Sequence, residues 1–164
     1  MGRRSLTRAA PLAPQVCTLL AFKEAGKVAL DRSLILIVED DDSSREGLAA
    51  FLEMSRFRVL TAREGTEGLA LARQYCPKLI LLDINMPTMD GFAFREAQRA
   101  DRAIQAVPLI VISGRRDVAA MAEKLGAHAW LQKPVDPSQI LAAIAGVPPA
   151  GPSDCPEPGT APRD

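Results

Sequence analysis

The sequence predicts an α/β domain in which a five-stranded parallel sheet is covered by helices on both faces. Two observations carry that expectation: apolar runs of strand length alternate with segments of helical period between Leu34 and Ala145, and three of the runs show no polar alternation. A strand that meets helices on both sides has no face to give to water, so continuous apolar runs mark the centre of such a sheet. They are Leu34 to Val38 (LILIV), Leu79 to Leu82 (LILL) and Leu109 to Ile112 (LIVI). Shorter runs at Val59 to Thr61 and Trp130 to Leu131 supply the other two strands.

Helices fill the intervals. Ser43 to Met54 gathers Leu48, Phe51 and Leu52 on one face, and Glu64 to Gln74 does the same with Leu69 and Leu71. A third helix covers roughly Gly91 to Arg99, a fourth runs from Asp117 to Leu125 with Gly126 as its stop, and a fifth spans Asp136 to Ala145. Asp136 reads as an N-cap with Pro137 at the first helical position, where a missing N–H costs nothing. The βα unit thus repeats five times within residues 32–146. Residues 1–31 form a basic extension whose structure the sequence leaves open, with Arg3, Arg4, Arg8, Lys23 and Lys27 against Glu24 and Asp31. Residues 147–164 (VPPAGPSDCPEPGTAPRD) read as a disordered tail, because such Pro and Gly density cannot bury enough apolar surface to offset its ordering entropy.

Composition narrows the function classes. The 164-residue chain is 48% hydrophobic and 24% charged, enough for one core, and its formal net charge is +0, without the basic bias that draws small proteins onto nucleic acid or anionic membranes. Cys17, Cys76 and Cys155 form no CxxC pair, so neither a zinc site nor a disulfide framework is expected, as in a cytoplasmic protein. Arg3, Arg4 and Arg8 precede the apolar patch Val16 to Phe22, but that patch is too short to span a bilayer and no cleavage site follows it.

The chemistry gathers at strand ends. In open parallel sheets ligands bind beyond the carboxyl ends of the strands. There the first strand delivers Glu39, Asp40, Asp41 and Asp42, the third Asp83 and then Asn85, the fourth Ser113 and Gly114, and the fifth Lys133 and Pro134. Two carboxylates about 4 Å apart repel by about 4 kcal/mol at an effective dielectric near 20, so the cluster calls for a cation. An oxygen-only ligand set suits Mg²⁺. Lys133 and the Ser113 hydroxyl would then receive an anion.

These residues, in this order, resemble the receiver domain of bacterial two-component response regulators, of the stand-alone type. The matching segments are IVEDD (Ile37 to Asp41), LLDINMPTMDG (Leu81 to Gly91), VISG (Val111 to Gly114) and LQKP (Leu131 to Pro134). The resemblance implies a flavodoxin-like doubly wound (βα)5 fold with strand order 2-1-3-4-5. It implies that Asp83 is the phosphoacceptor, that Asp40 ligates Mg²⁺ directly together with Asp83, that Glu39 acts through water, and that Asn85 lends its backbone carbonyl. Ser113 matches the switch hydroxyl, Lys133 the lysine that pairs with acceptor and phosphoryl oxygens, and Trp130 the aromatic switch position, where Tyr or Phe is commoner. It also implies a cis Lys133–Pro134 bond. The implied partners are a histidine kinase or histidine phosphotransfer protein as donor, and an unknown protein target at the fourth helix and fifth strand, with no nucleic acid and no membrane.

Two other readings compete. An aspartyl-phosphate phosphohydrolase wants a second acid two residues beyond its nucleophile, where this chain has Asn85. A receiver-like interaction module that never uses phosphorylation would have no need of the acidic pocket. Asp41 and Asp42 read as helix-cap or loop residues, His128 as structural, and Cys76 as a small apolar side chain. Little chain follows Lys133, so the signal is expected to leave through protein contacts and not through an output domain.

Overall fold

The computed structural model describes residues 33–148, which contain the whole βα repeat. The elements alternate strictly: β1 (Leu34–Val38), α1 (Asp42–Met54), β2 (Arg58–Ala62), α2 (Gly65–Tyr75), β3 (Leu79–Asp83), α3 (Gly91–Ala100), β4 (Leu109–Ser113), α4 (Val118–Leu125), β5 (Ala129–Gln132) and α5 (Pro137–Ala145). Each bound lies within one residue of its predicted place. The expected extension 1–31 and the tail beyond residue 148 lie outside the described residues. No helix among the described residues is long and apolar enough to cross a membrane.

All neighbouring strands pair in parallel, in the order β2-β1-β3-β4-β5 that the resemblance implies. Because side chains alternate along a strand, each central strand feeds two cores. Leu36, Val38, Ile80, Leu82, Leu109 and Val111 meet α2, α3 and α4 on one face. Ile35, Ile37, Leu79, Leu81, Ile110 and Ile112 meet α1 and α5 on the other, through Leu52 and Ile140. This double coverage is why β1, β3 and β4 are apolar without a break. Close approach of α2 needs Gly68, where a Cβ would stand 2.8 Å from Val38 Cγ2 and 3.2 Å from the Phe94 ring.

Helix ends follow local chemistry. Asp41, Asp90 and Asp136 cap α1, α3 and α5 by accepting the backbone N–H groups of Ser44, Ala93 and Ser138. At the other end of α1, the Arg56 N–H bonds to Glu53 O and the Phe57 N–H to Leu52 O, a Schellman closure completed by apolar packing of Phe57 on the core that holds Leu52. Gly126 closes α4 with the same pair of bonds at φ 58°, but Arg56 does so at φ 71° while carrying a Cβ. Cys76 ends α2 in the left-handed region, its backbone N–H donating to Ala72 O.

The left-handed Arg56 gives a stability prediction. A Cβ in that region costs about 1–2 kcal/mol, and glycine returns about 0.5–1 kcal/mol of this through its freer unfolded chain. Arg56→Gly should therefore stabilise the protein by roughly 0.5–1 kcal/mol, read as a higher urea midpoint at unchanged slope. A lower midpoint would contradict the account.

Candidate functional site

Continuing the alternation past the strand ends explains how the site assembles. Glu39 and Asp83 follow the parity of Ile37 and Leu81, and Lys133 that of Leu131, so all three side chains emerge on the α1/α5 face. Ser113 follows Val111 and emerges on the α4 face of β4. The Lys133–Pro134 bond is cis, as implied.

Lys133 Nζ lies 2.5 Å from Asp83 Oδ2 and 2.9 and 2.7 Å from the two Glu39 oxygens. One ammonium thus bridges the ends of β1 and β3. Both carboxylates are almost wholly buried, while Asp40 beside them is exposed. Burial pulls the Lys133 ammonium down, but its hydrogen bonds to Asp83 and Glu39 outweigh that and hold it above the usual lysine value. Burial pushes the Glu39 carboxyl above the usual glutamate value and the charge of Asp83 adds to this, against the opposing bond from Lys133. Glu39 is thus a direct partner of the lysine.

Oxygen atoms of Glu39, Asp40 and Asp83 lie within 4.8 Å of one another, the one group of potential metal ligands among the described residues. When all are ionised, three carboxylates against one ammonium leave two negative charges, and the ligands are hard oxygens, so the donor set fits Mg²⁺. Asn85 orients Asp83: its backbone N–H donates to Asp83 Oδ1 at 2.9 Å. Its side-chain amide reaches Ser113 Oγ at 3.3 Å, and the Arg115 N–H reaches the same oxygen at 3.3 Å. The Ser113 hydroxyl is completely buried, two residue pairs beyond the row that joins Val111 to Trp130. The indole is 42% exposed, turned to the surface on the same face as the hydroxyl.

The remaining expectations sort simply. Asp41 caps α1, and Asp42 lies in its first turn paired with Arg45 and near Arg63. His128 is exposed and ties β5 to β4 only through its backbone N–H to Leu109 O, at 2.7 Å.

Sequence reasoning missed Arg45. It reads as part of the polar face of α1, but it is only 4% exposed, and its guanidinium donates to Glu39 O at 2.9 Å and Asp40 O at 3.4 Å while gripping the Asp42 carboxylate. The fork holds the backbone from which both acids project. The available signal was one arginine half-hidden behind four consecutive acids. Arg45→Met should cost about 2–3 kcal/mol, since hydrogen bonds to a charged group are worth ~1.5–3 kcal/mol and two carbonyls lose their donor. Arg45→Lys should recover only part, lacking the fork. Equal urea midpoints for parent and Arg45→Met would contradict this role.

A family model described as the response regulator receiver domain matches residues 35–145. The chain is 36% identical over 115 residues to protein PilH of Pseudomonas aeruginosa, covering 69% of this chain and 95% of that protein. It is 33% identical over 113 residues to response regulator Rre1 of Synechocystis sp., covering 67% of this chain and 49% of that protein. It therefore spans nearly all of the first relative and about half of the second. Among solved structures, chemotaxis protein CheY4 of Vibrio cholerae matches with a TM-score of 0.66 at 30% identity, over 71% of this chain and 98% of that one. A response regulator receiver protein from Pseudomonas putida matches with a TM-score of 0.65 at 30% identity, over 71% and 98%. With the implied strand order in place and a family match over most of the described residues, the chain belongs to the response regulator receiver domain family.

Proposed function

We propose that the chain is a phosphoryl-accepting switch of a two-component phosphorelay, with Asp83 as its acceptor. The observation that carries the reading is the meeting of buried Asp83 with Lys133, two further acids and a buried hydroxyl at the ends of β1, β3, β4 and β5. A carboxylate oxygen of Asp83 attacks the phosphorus of a phosphohistidine on a histidine kinase or histidine phosphotransfer protein. The O–P bond forms as the P–N bond breaks, and the imidazole nitrogen leaves with the electron pair and takes up a proton. Asp40, Asp83, the Asn85 carbonyl and Glu39, the last through water, would hold Mg²⁺. When bound, the ion supplies neutralisation of the charge that gathers on the phosphoryl oxygens. Lys133 neutralises the acceptor and then follows the phosphoryl oxygens, and the Ser113 hydroxyl donates to one of them. Such catalysis is positioning and charge compensation, so the chain acts on itself and is not an enzyme for a separate substrate.

The downstream protein target is read at the surface of α4 and β5, supported by the exposed Trp130 on an edge strand. The same reading makes the chain a cytoplasmic one whose partners are proteins and not nucleic acid or membrane, supported by its formal net charge of +0.

Two measurements test the reading. Acetyl phosphate with Mg²⁺ should give one labile adduct by mass spectrometry, lost in Asp83→Asn; at ten times its dissociation constant Mg²⁺ should stabilise the parent by about 1.4 kcal/mol and leave Asp40→Ala unchanged. An adduct that persists in Asp83→Asn refutes the acceptor, and a parent that takes none is a phosphorylation-independent interaction module. The second concerns reporting. Moving a population from 1:99 to 99:1 takes about 5.5 kcal/mol, more than one charge-assisted hydrogen bond at ~1.5–3 kcal/mol, so Lys133 and the metal must share the task with Ser113. Trp130 is the single tryptophan. Beryllofluoride with Mg²⁺ should change its emission in the parent and much less in Ser113→Ala. Equal responses would remove the hydroxyl from the link.

A further inference from the structure

Four helices begin at an aspartate, and one of them begins differently. Asp41, Asp90 and Asp136 have extended backbones, with ψ of 116°, 166° and 131°, and each carboxylate accepts a first-turn N–H. Asp117 holds the same position before α4 and caps nothing; its ψ is 16°. Both of its oxygens are taken by Arg115, whose Nε and Nη2 donate at 2.9 Å each. Arg115 is also the residue whose backbone N–H reaches the Ser113 hydroxyl. The pair therefore stands at the lip of the Asp83 pocket and at the start of the helix that leads away from it.

We propose that Asp117 is a two-position element, held by Arg115 in the resting protein and released to cap α4 when a phosphoryl group on Asp83 draws the guanidinium to itself. The proposal rests on the phosphoacceptor reading. Arg115 and Asp117 are both about half exposed, and an exposed ion pair contributes little net stability, comparable to an aspartate N-cap. Two arrangements so close in free energy can be exchanged by a modest bias. The bias is a new group carrying about two negative charges, for which the planar arginine fork is well matched. The exchange is discrete: the ψ of Asp117 turns from 16° to the extended range of the other three caps. A phosphoryl group thereby adds a side-chain cap to the first turn of α4 without itself touching that helix.

Amide hydrogen exchange of the full chain, resolved by residue with NMR, tests this with and without beryllofluoride and Mg²⁺, while ¹⁹F spectra of the same samples report bound fluoride. In the parent, the Ala119 or Ala120 amide should exchange about five- to tenfold more slowly once beryllofluoride is bound. Arg115→Gln should show the slow rate without any ligand, because Asp117 has lost its rival partner. Asp117→Asn keeps a capping side chain but no charge for Arg115 and should also be slow in both states. Asp117→Ala should be fast in both. If Arg115→Gln exchanges as fast as the resting parent, or Asp117→Ala slows with beryllofluoride as the parent does, the proposal is overturned. Absence of a bound fluoride signal overturns the phosphoryl half together with the acceptor reading, and the ligand-free comparison of Arg115→Gln with the parent still decides the exchange of partners.

Discussion

The ammonium of Lys133, shared between Glu39 and Asp83, is the contact on which the site depends. It joins residues 94 and 50 positions apart in the chain, and only the parallel order that sets β1 beside β3 brings those two carboxylates together. Burying two such groups side by side is unfavourable by desolvation and by mutual repulsion. The lysine makes the arrangement tenable, and its excess of negative partners makes it receptive to a further cation. Stability and cation affinity at the pocket therefore have one source: the fold tolerates a concentration of negative charge that the lysine only partly neutralises.

The fold was legible because its signals are local. A short uninterrupted run such as LIVI, bounded by Pro108 and by Gly114 just beyond Ser113, has the length and composition of a strand covered twice, and an aspartate before a proline, as at Asp136 and Pro137, marks a helix start by backbone chemistry. The acidic strand ends with Lys133 and Ser113 were legible for a related reason. Ligands in open parallel sheets collect at the carboxyl ends, so polar residues there carry meaning that they lack elsewhere. What stayed hidden depends on distance in three dimensions. Nothing along α1 distinguishes Arg45 from a solvated arginine until the carbonyls of Glu39 and Asp40 are seen to lack any other described side-chain donor than its guanidinium. Asp117 stands where three other aspartates cap their helices, and only its neighbour two residues back shows why its side chain does not.

The resting state of Ser113 also has a definite chemical form. Its oxygen accepts from both the Asn85 amide and the Arg115 N–H, which occupies its two lone pairs. The hydroxyl hydrogen is thus left as the group's remaining polar function. A buried hydroxyl so arranged is a donor in waiting, suited to an anion and ill suited to a cation.

The ends of α4 are held very unequally. Its last carbonyls at Leu125 and Gly126 receive Arg95 and Arg99 from α3, with Arg95 steadied in turn by Gln98. Gly126 has no Cβ, and one there would run into the Arg99 guanidinium. The first turn, by contrast, has no side-chain cap. Val118 still packs that turn into the core, so it is the polar hold on α4 that is one-sided. Any displacement of α4 should therefore be smallest at Gly126, where the α3 arginines act as a fulcrum.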